Sequence, residues 1–161
     1  MRLKTSEIKI EIPEGAEVAV DNNTITVKGP KGEIKRDFSH PTVSIEKKDN
    51  TLLVKGVKVG KREKALMGSI ESHTKNMFKG ATEGHVYKLK VCSGHFPIGV
   101  QINGNKLAVK NFYGEKIPRN LEITEGVNAK LDGDIITLEG CEKEKVAQTA
   151  ANIEQLMRIT N

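Results

Sequence analysis

Two stretches of the chain say nearly the same thing, and that duplication limits the fold more than any other feature. Val18-Ala19-Val20-Asp21-Asn22-Asn23-Thr24-Ile25-Thr26-Val27-Lys28 matches Val100-Gln101-Ile102-Asn103-Gly104-Asn105-Lys106-Leu107-Ala108-Val109-Lys110 at a constant shift of 82 positions. The same shift carries Gly32-Glu33 onto Gly114-Glu115, and Asn50 to Gly56 falls on Asp134 to Gly140 at a shift of 84. Upstream, Ile12-Pro13 has its counterpart in Phe96-Pro97. Self-similarity at a fixed spacing is the mark of a repeated structural unit. Two copies of about 80 residues fill the 161-residue chain, a size at which each copy can hold only a small core.

Each copy reads as two hairpins followed by a helix. In the first hairpin Val18 and Val20 alternate, as do Ile25 and Val27, across an Asp-Asn-Asn turn. The second copy has Asn103-Gly104, a dipeptide suited to positive φ at both central positions. The second hairpin is predicted to turn at Lys48-Asp49-Asn50 and at Asp132-Gly133. From Lys61 to about Lys79, Leu66, Ile70, His73 and Met77 recur at helical spacing. Val146, Ala150, Ile153 and Met157 repeat that spacing from about Glu142 onward. Each stripe is wide enough to lay one helix on one sheet face, and Gly80 is a natural stop for the first helix. The expected fold class is α+β: a tandem duplication of a small domain, each with antiparallel β-hairpins or sheet packed on one α-helix. Residues 1–81 and 82–161 form the two domains, with the boundary near Ala81 to Gly84.

Composition then narrows the function. Aromatic residues make up 4% of the chain, with no Trp, which leaves few groups to line a small-molecule pocket. No apolar run reaches the length of a membrane span and no apolar segment follows Met1-Arg2, so a soluble, intracellular protein is expected. Two cysteines, Cys92 and Cys141, exclude a disulfide scaffold and favour a reduced cytosol. Phosphate-loop, dinucleotide-binding and nucleophile-elbow motifs are absent. Cys92 and His95 form one C-x-x-H pair, too few ligands for a tetrahedral zinc site, so no metal and no cofactor is expected. A hydrolase using that pair is the enzyme alternative.

Twenty-six Lys and Arg against 21 Asp and Glu give a net charge of +5. All of that surplus lies in residues 1–81, with 16 basic and 11 acidic side chains, against 10 of each in residues 82–161. Lys61, Arg62 and Lys64 stand at the start of the first helix, where cations oppose the helix dipole. A phosphate shared with the backbone amides would explain them, and a solvated turn relieved by Glu63 is the plainer reading. In the second copy Lys110-Asn111-Phe112-Tyr113-Gly114-Glu115-Lys116, followed by Arg119, interleaves aromatics with cations. Exposed rings between cations suit an unstacked RNA base and its phosphates.

These residues carry a resemblance. Val27-Lys28-Gly29-Pro30-Lys31-Gly32, His73, Asn76-Met77-Phe78-Lys79-Gly80, Gly84, Tyr87-Lys88-Leu89, His95-Phe96-Pro97-Ile98, Asn111 to Lys116, Gln155 and Ile159 follow in order along the chain. The pattern resembles the large-subunit ribosomal proteins of the universal L-six family, in the branch shared by archaea and eukaryotes. The resemblance implies two domains of this kind, no enzymatic activity, and a cytoplasmic, ribosomal role in translation. It also implies binding to large-subunit rRNA near the sarcin-ricin loop, beside neighbouring ribosomal proteins and, indirectly, translation factors. It points to the second domain for much of the rRNA contact, which sharpens His95 and Phe96 and the loop residues Lys110, Asn111, Phe112, Tyr113, Lys116 and Arg119 as contacts; Arg158 and the helix-start cations Lys61, Arg62 and Lys64 complete the candidates. The branch normally continues past the Gln155 to Ile159 spacing into a basic tail, so a chain ending at Asn161 is expected to be a shortened one. The alternative from another class is a non-ribosomal protein-binding module that recruits peptides along its duplicated sheet edges.

Overall fold

The computed structural model describes residues 3–159; Asn161, on which the expectation of a missing tail rests, lies outside them. The chain forms two compact units that divide between Glu83 and Gly84. In the first, strands β1 (Leu3–Glu11), β2 (Glu17–Asp21), β3 (Thr24–Gly29), β4 (Gly32–Asp37), β5 (Val43–Lys48) and β6 (Thr51–Val59) precede helix α1 (Lys61–Thr82). The second repeats the plan with β7 (His85–Lys90), β8 (Gly99–Asn103), β9 (Lys106–Lys110), β10 (Arg119–Glu122), β11 (Val127–Asp132), β12 (Ile135–Gly140) and α2 (Lys143–Leu156). Each unit holds two three-stranded antiparallel sheets, β1-β6-β5 with β2-β3-β4, and β7-β12-β11 with β8-β9-β10. The fold is a duplicated α+β domain.

Each predicted hairpin is therefore one strand short. The opening strand pairs with the last one of its unit, Ile10 opposite Leu52 and Leu89 opposite Ile136. The fourth extends the first hairpin to a meander, with Val27 opposite Ile34 and Val109 opposite Arg119. Ile8, Ile10 and Ile12 alternate in the sequence, and Ile10 and Ile12 are buried. The turns also sit slightly later than predicted in the second unit. Asn103 pairs with Lys106, so the left-handed position falls on Gly104 at φ 60°. Gly133, at φ 58°, serves the same purpose between Asp132 and Ile135. In the first unit Asn22 and Asn23, at φ 45° and 68°, make the equivalent turn, a conformation Asn tolerates better than other non-glycine residues.

Helix α1 does not stop at Gly80. It runs through that buried glycine to Thr82, and the chain leaves through Gly84 at φ 82°, the left-handed residue that ends many helices. The buried stripe of α1 is Met67, Ile70, Thr74, Met77 and Ala81, one position round from the predicted one, so Leu66 and His73 sit at its margin. Thr74 is tolerated there because its hydroxyl donates to the Ile70 carbonyl at 2.7 Å. In α2, Val146, Ala150 and Ile153 are buried as predicted, joined by Thr149. Each helix touches strands of both sheets of its unit, α1 meeting β1, β3, β4 and β6 and α2 meeting β7, β10, β11 and β12. The helix thus plugs a core shared by two small sheets rather than lying on one face of one.

Candidate nucleic-acid interface

The second unit brings three of its four aromatic residues, Phe96, Phe112 and Tyr113, together. Strand β9 finishes at Lys110, and Asn111 takes the left-handed conformation at φ 59°, turning the chain sharply. Its side-chain amide donates to the Pro97 carbonyl at 2.9 Å, which ties the turn to the segment between β7 and β8. Phe112 follows and is buried, only 6% exposed, in the core with Leu107 and Ile153. Its predicted exposure is corrected here: burying the aromatic ring stabilises the loop. Tyr113, at φ 49°, is turned outward and 65% exposed, its ring edge-on to Phe112 with centroids 5.1 Å apart. Phe96 is 43% exposed, rests against Gly114 and meets the His95 ring edge-on at 5.0 Å. Gly114 sits at φ 77°, the left-handed region that favours glycine, and a Cβ there would be in ordinary van der Waals contact with the Phe96 ring at 3.4 Å.

Between these segments opens a cleft of about 450 Å³ lined by Val91, Phe96, Ile98, Tyr113, Met157 and Ile159. Lys90, Cys92 and His95 stand along its wall. Arg119 does not reach outward as a free cation. Its guanidinium chelates Glu115, donates at 2.7 Å to the Leu156 carbonyl and at 3.2 Å to that of Arg158, and lies 4.5 Å over the Phe112 ring. A cation at the carbonyl end of α2 is favoured by the helix dipole. The Glu115 carboxyl is held below the usual carboxylate range by its hydrogen bond and attraction to Arg119, and the Arg119 guanidinium is raised in return. Arg119 is a brace that fixes the loop, the ring beneath it and the end of the helix together.

The near-zero net charge of this unit, ten cations against nine acids, conceals a strong asymmetry. Five of its ten cations, Lys90, Lys110, Lys116, Arg119 and Arg158, lie in the three segments that converge at the cleft. Glu115 alone of its nine acids lies there, and it is committed to Arg119. Lys90, Lys110, Lys116 and Arg158 are all exposed. The family profile described as Ribosomal protein L6 matches residues 12–84 and again residues 96–161, one match to each copy of the fold. The chain belongs to the ribosomal protein L6 family.

Relatives named "Large ribosomal subunit protein uL6" agree with it. The protein of Ignicoccus hospitalis is 43% identical over 156 residues, covering 94% of this chain and 84% of its own length. That of Aeropyrum pernix is 44% identical over 152 residues at the same coverage of both chains. The Sulfurisphaera tokodaii protein is 45% identical over 153 residues, covering 94% of this chain and 82% of its own. As a member of the L-six family, the protein is structural and not an enzyme.

Three further sequence candidates belong to the first unit. Lys61, Arg62 and Lys64 lie on the first turn of α1 in the other unit, Lys61, Arg62 and Lys64 all outside its buried stripe. There the Gly60 amide donates to the Glu63 carboxylate at 2.8 Å, so the relieving anion comes from within the chain. Cys92 and His95 are both exposed, and the His95 ring is engaged by Phe96 rather than by the thiol. No group of three or more metal-ligating side chains occurs among the described residues, and no helix there is long and apolar enough to cross a membrane. Sequence reasoning missed Lys90, the brace formed by Glu115, and the lining by Met157 and Ile159. The last two were marked as helix and family positions, and only the folded chain brings them beside Tyr113.

Proposed function

We propose that the protein is a structural constituent of the large ribosomal subunit that binds large-subunit rRNA through the basic end of its second unit. The polarised charge carries this reading: half of that unit's cations lie on the three segments that form one cleft, accompanied by one acid that is already paired. Phosphates would meet Lys90, Lys110, Lys116 and Arg158, with Lys61, Arg62 and Lys64 as a secondary contact from the first unit. The L-six resemblance supports a site near the sarcin-ricin loop and the factor-binding region, beside neighbouring ribosomal proteins in the cytoplasm, from which translation factors would be affected indirectly. Use of sheet edges for peptides is disfavoured at β2, where Lys47 Nζ donates at 2.9 Å to the Val18 carbonyl and covers part of that edge.

Binding of this kind releases counterions, so affinity for a large-subunit rRNA transcript is expected to fall steeply between about 50 and 200 mM salt. Combining Lys110→Ala with Lys116→Ala is expected to weaken binding and flatten the log-log salt slope by roughly 0.7 to 0.9 for each phosphate no longer neutralised. Filter retention across a salt series measures both quantities. An affinity indifferent to salt would overturn the proposal, and an unaltered slope in the double variant would move the RNA-binding site to the start of α1.

A further inference from the structure

We infer that the cleft of the second unit is a receptor for one unstacked nucleobase of the RNA, held against Tyr113 and Phe96. This assignment rests on the rRNA reading above and names what enters the cleft. Three observations lead to it. The walls are apolar and aromatic, with Tyr113 and Phe96 both exposed although the chain has only six aromatic residues to distribute. The cavity, about 450 Å³, falls in the range of small-ligand sites and accommodates a single base. Exposed cations, Lys90 on the cleft itself and Lys110, Lys116 and Arg158 within three residues of its lining along the chain, complement the phosphates that flank a base turned out of its stack.

Rigidity favours the same occupant. Stacking on a ring that is already fixed avoids the entropy cost of ordering it on binding. Tyr113 is fixed from three directions: the Asn111 amide on Pro97, the buried Phe112 ring beside it, and the Arg119 brace beneath. His95 meets Phe96 on the opposite wall and restrains that ring in turn. Arg119 is absent from the cleft lining and acts as a positioning residue, holding the Phe112 ring that closes the cleft beside Tyr113. The walls contribute aromatic surface and few polar groups, so the cleft takes a base by its face and discriminates weakly among bases.

The composition of the chain supplies the test. It has no Trp and two tyrosines, so in a Tyr87→Phe background Tyr113 is the sole tyrosine emitter. A large-subunit rRNA transcript is titrated into this protein, with N-acetyltyrosinamide correcting for RNA absorbance and filter retention scoring binding in the same samples. Quenching of Tyr113 that saturates together with retention is the expected result. Tyr113→Phe should bind as tightly as the parent, whereas Tyr113→Leu and Phe96→Ala should each bind about tenfold more weakly, the scale of removing one base stack, with the salt slope unchanged. RNA retained with Tyr113 emission undiminished would overturn the base receptor and leave the rRNA reading standing. Absence of retention would overturn the rRNA reading itself. Quenching by salt-washed ribosomal proteins without RNA would give the cleft to a protein side chain and overturn the base assignment.

Discussion

The connection after the second strand of each meander is where the two copies part company. In the first unit β3 and β4 stay paired to Gly29 and Gly32, leaving Pro30 and Lys31 as the turn. The Lys31 amide donates at 3.0 Å to the Ala81 carbonyl near the end of α1. In the second unit Val109 pairs with Arg119, and the longer connection between them contains the buried Phe112 and the exposed Tyr113. There the guanidinium of Arg119 takes the carbonyls at the end of α2. Both connections thus satisfy carbonyls that a helix leaves without internal partners, one with a backbone amide and the other with a side chain. Replacing the amide by an arginine frees the loop to lengthen while remaining anchored, and the added length forms a wall of the cleft.

If the copies differ only in this connection, their cores should respond alike to damage. Ile25 and Leu107 occupy equivalent positions and are both wholly buried. Ile25→Ala and Leu107→Ala are each expected to cost about 2–5 kcal/mol through reduced burial and the cavity left behind. Urea unfolding measures the costs, and two strongly unequal values would break the equivalence of the cores. A smaller effect is expected at Gly29, where an added Cβ would run into the Ala81 carbonyl oxygen and lie 2.7 Å from its carbon. Those are backbone atoms that cannot swing aside, so Gly29→Ala should destabilise the first unit by about 1–3 kcal/mol. Gly94→Ala, with nothing within 4 Å of the new atom, is the control and should stay within about 0.5 kcal/mol.

Local patterning made the repeated architecture legible, because it depends on short-range periodicity that survives in both copies. The alternation around Ile25 and Leu107, the left-handed turn residues and the Val146 to Ile153 stripe all lie within a few positions of one another. What escaped depends on three-dimensional closure. Gly80 has the composition of a helix stop, yet tertiary packing of Ala81 carries α1 past it. The sequence spacing of Phe112 and Tyr113 says that neighbouring side chains diverge, but not which one turns inward. Asn111 and its bond to Pro97 decide that. The charge count of the second unit likewise averaged over a separation that appears only when the segments carrying residues 90, 110, 116, 119 and 158 fold around one cleft.

Arg119 sharpens the contrast further. Because its hydrogen bonds are directed inward, Arg119→Ala is expected to lower RNA affinity by loosening Tyr113 while leaving the salt slope unaltered, unlike removal of Lys110 and Lys116. Filter retention of this variant across the same salt series separates a brace from a phosphate ligand. A slope reduced by roughly one would make Arg119 a phosphate ligand after all.

The smallest expected difference between the two anchors is their response to acid. Glu115 titrates below the usual carboxylate range because the folded state stabilises its ionised form through Arg119. Its contribution to stability is therefore complete above the ordinary carboxylate pKa and disappears as pH falls through the lowered folded value. Neutral and mildly acidic solutions should leave the loop intact, and only stronger acid should release the carboxylate. Arg119 would still hold the Leu156 carbonyl, so the expected change is a loosening of residues 113–116 rather than unfolding of the unit. The bond from the Lys31 amide to Ala81 contains no titratable group and should persist through the same range. Carboxyl carbon NMR of Glu115, alongside the amide shifts of Lys31 and Tyr113, measures both responses. A Glu115 midpoint at or above the ordinary carboxylate value would show that the pairing with Arg119 contributes nothing to anchoring the longer loop.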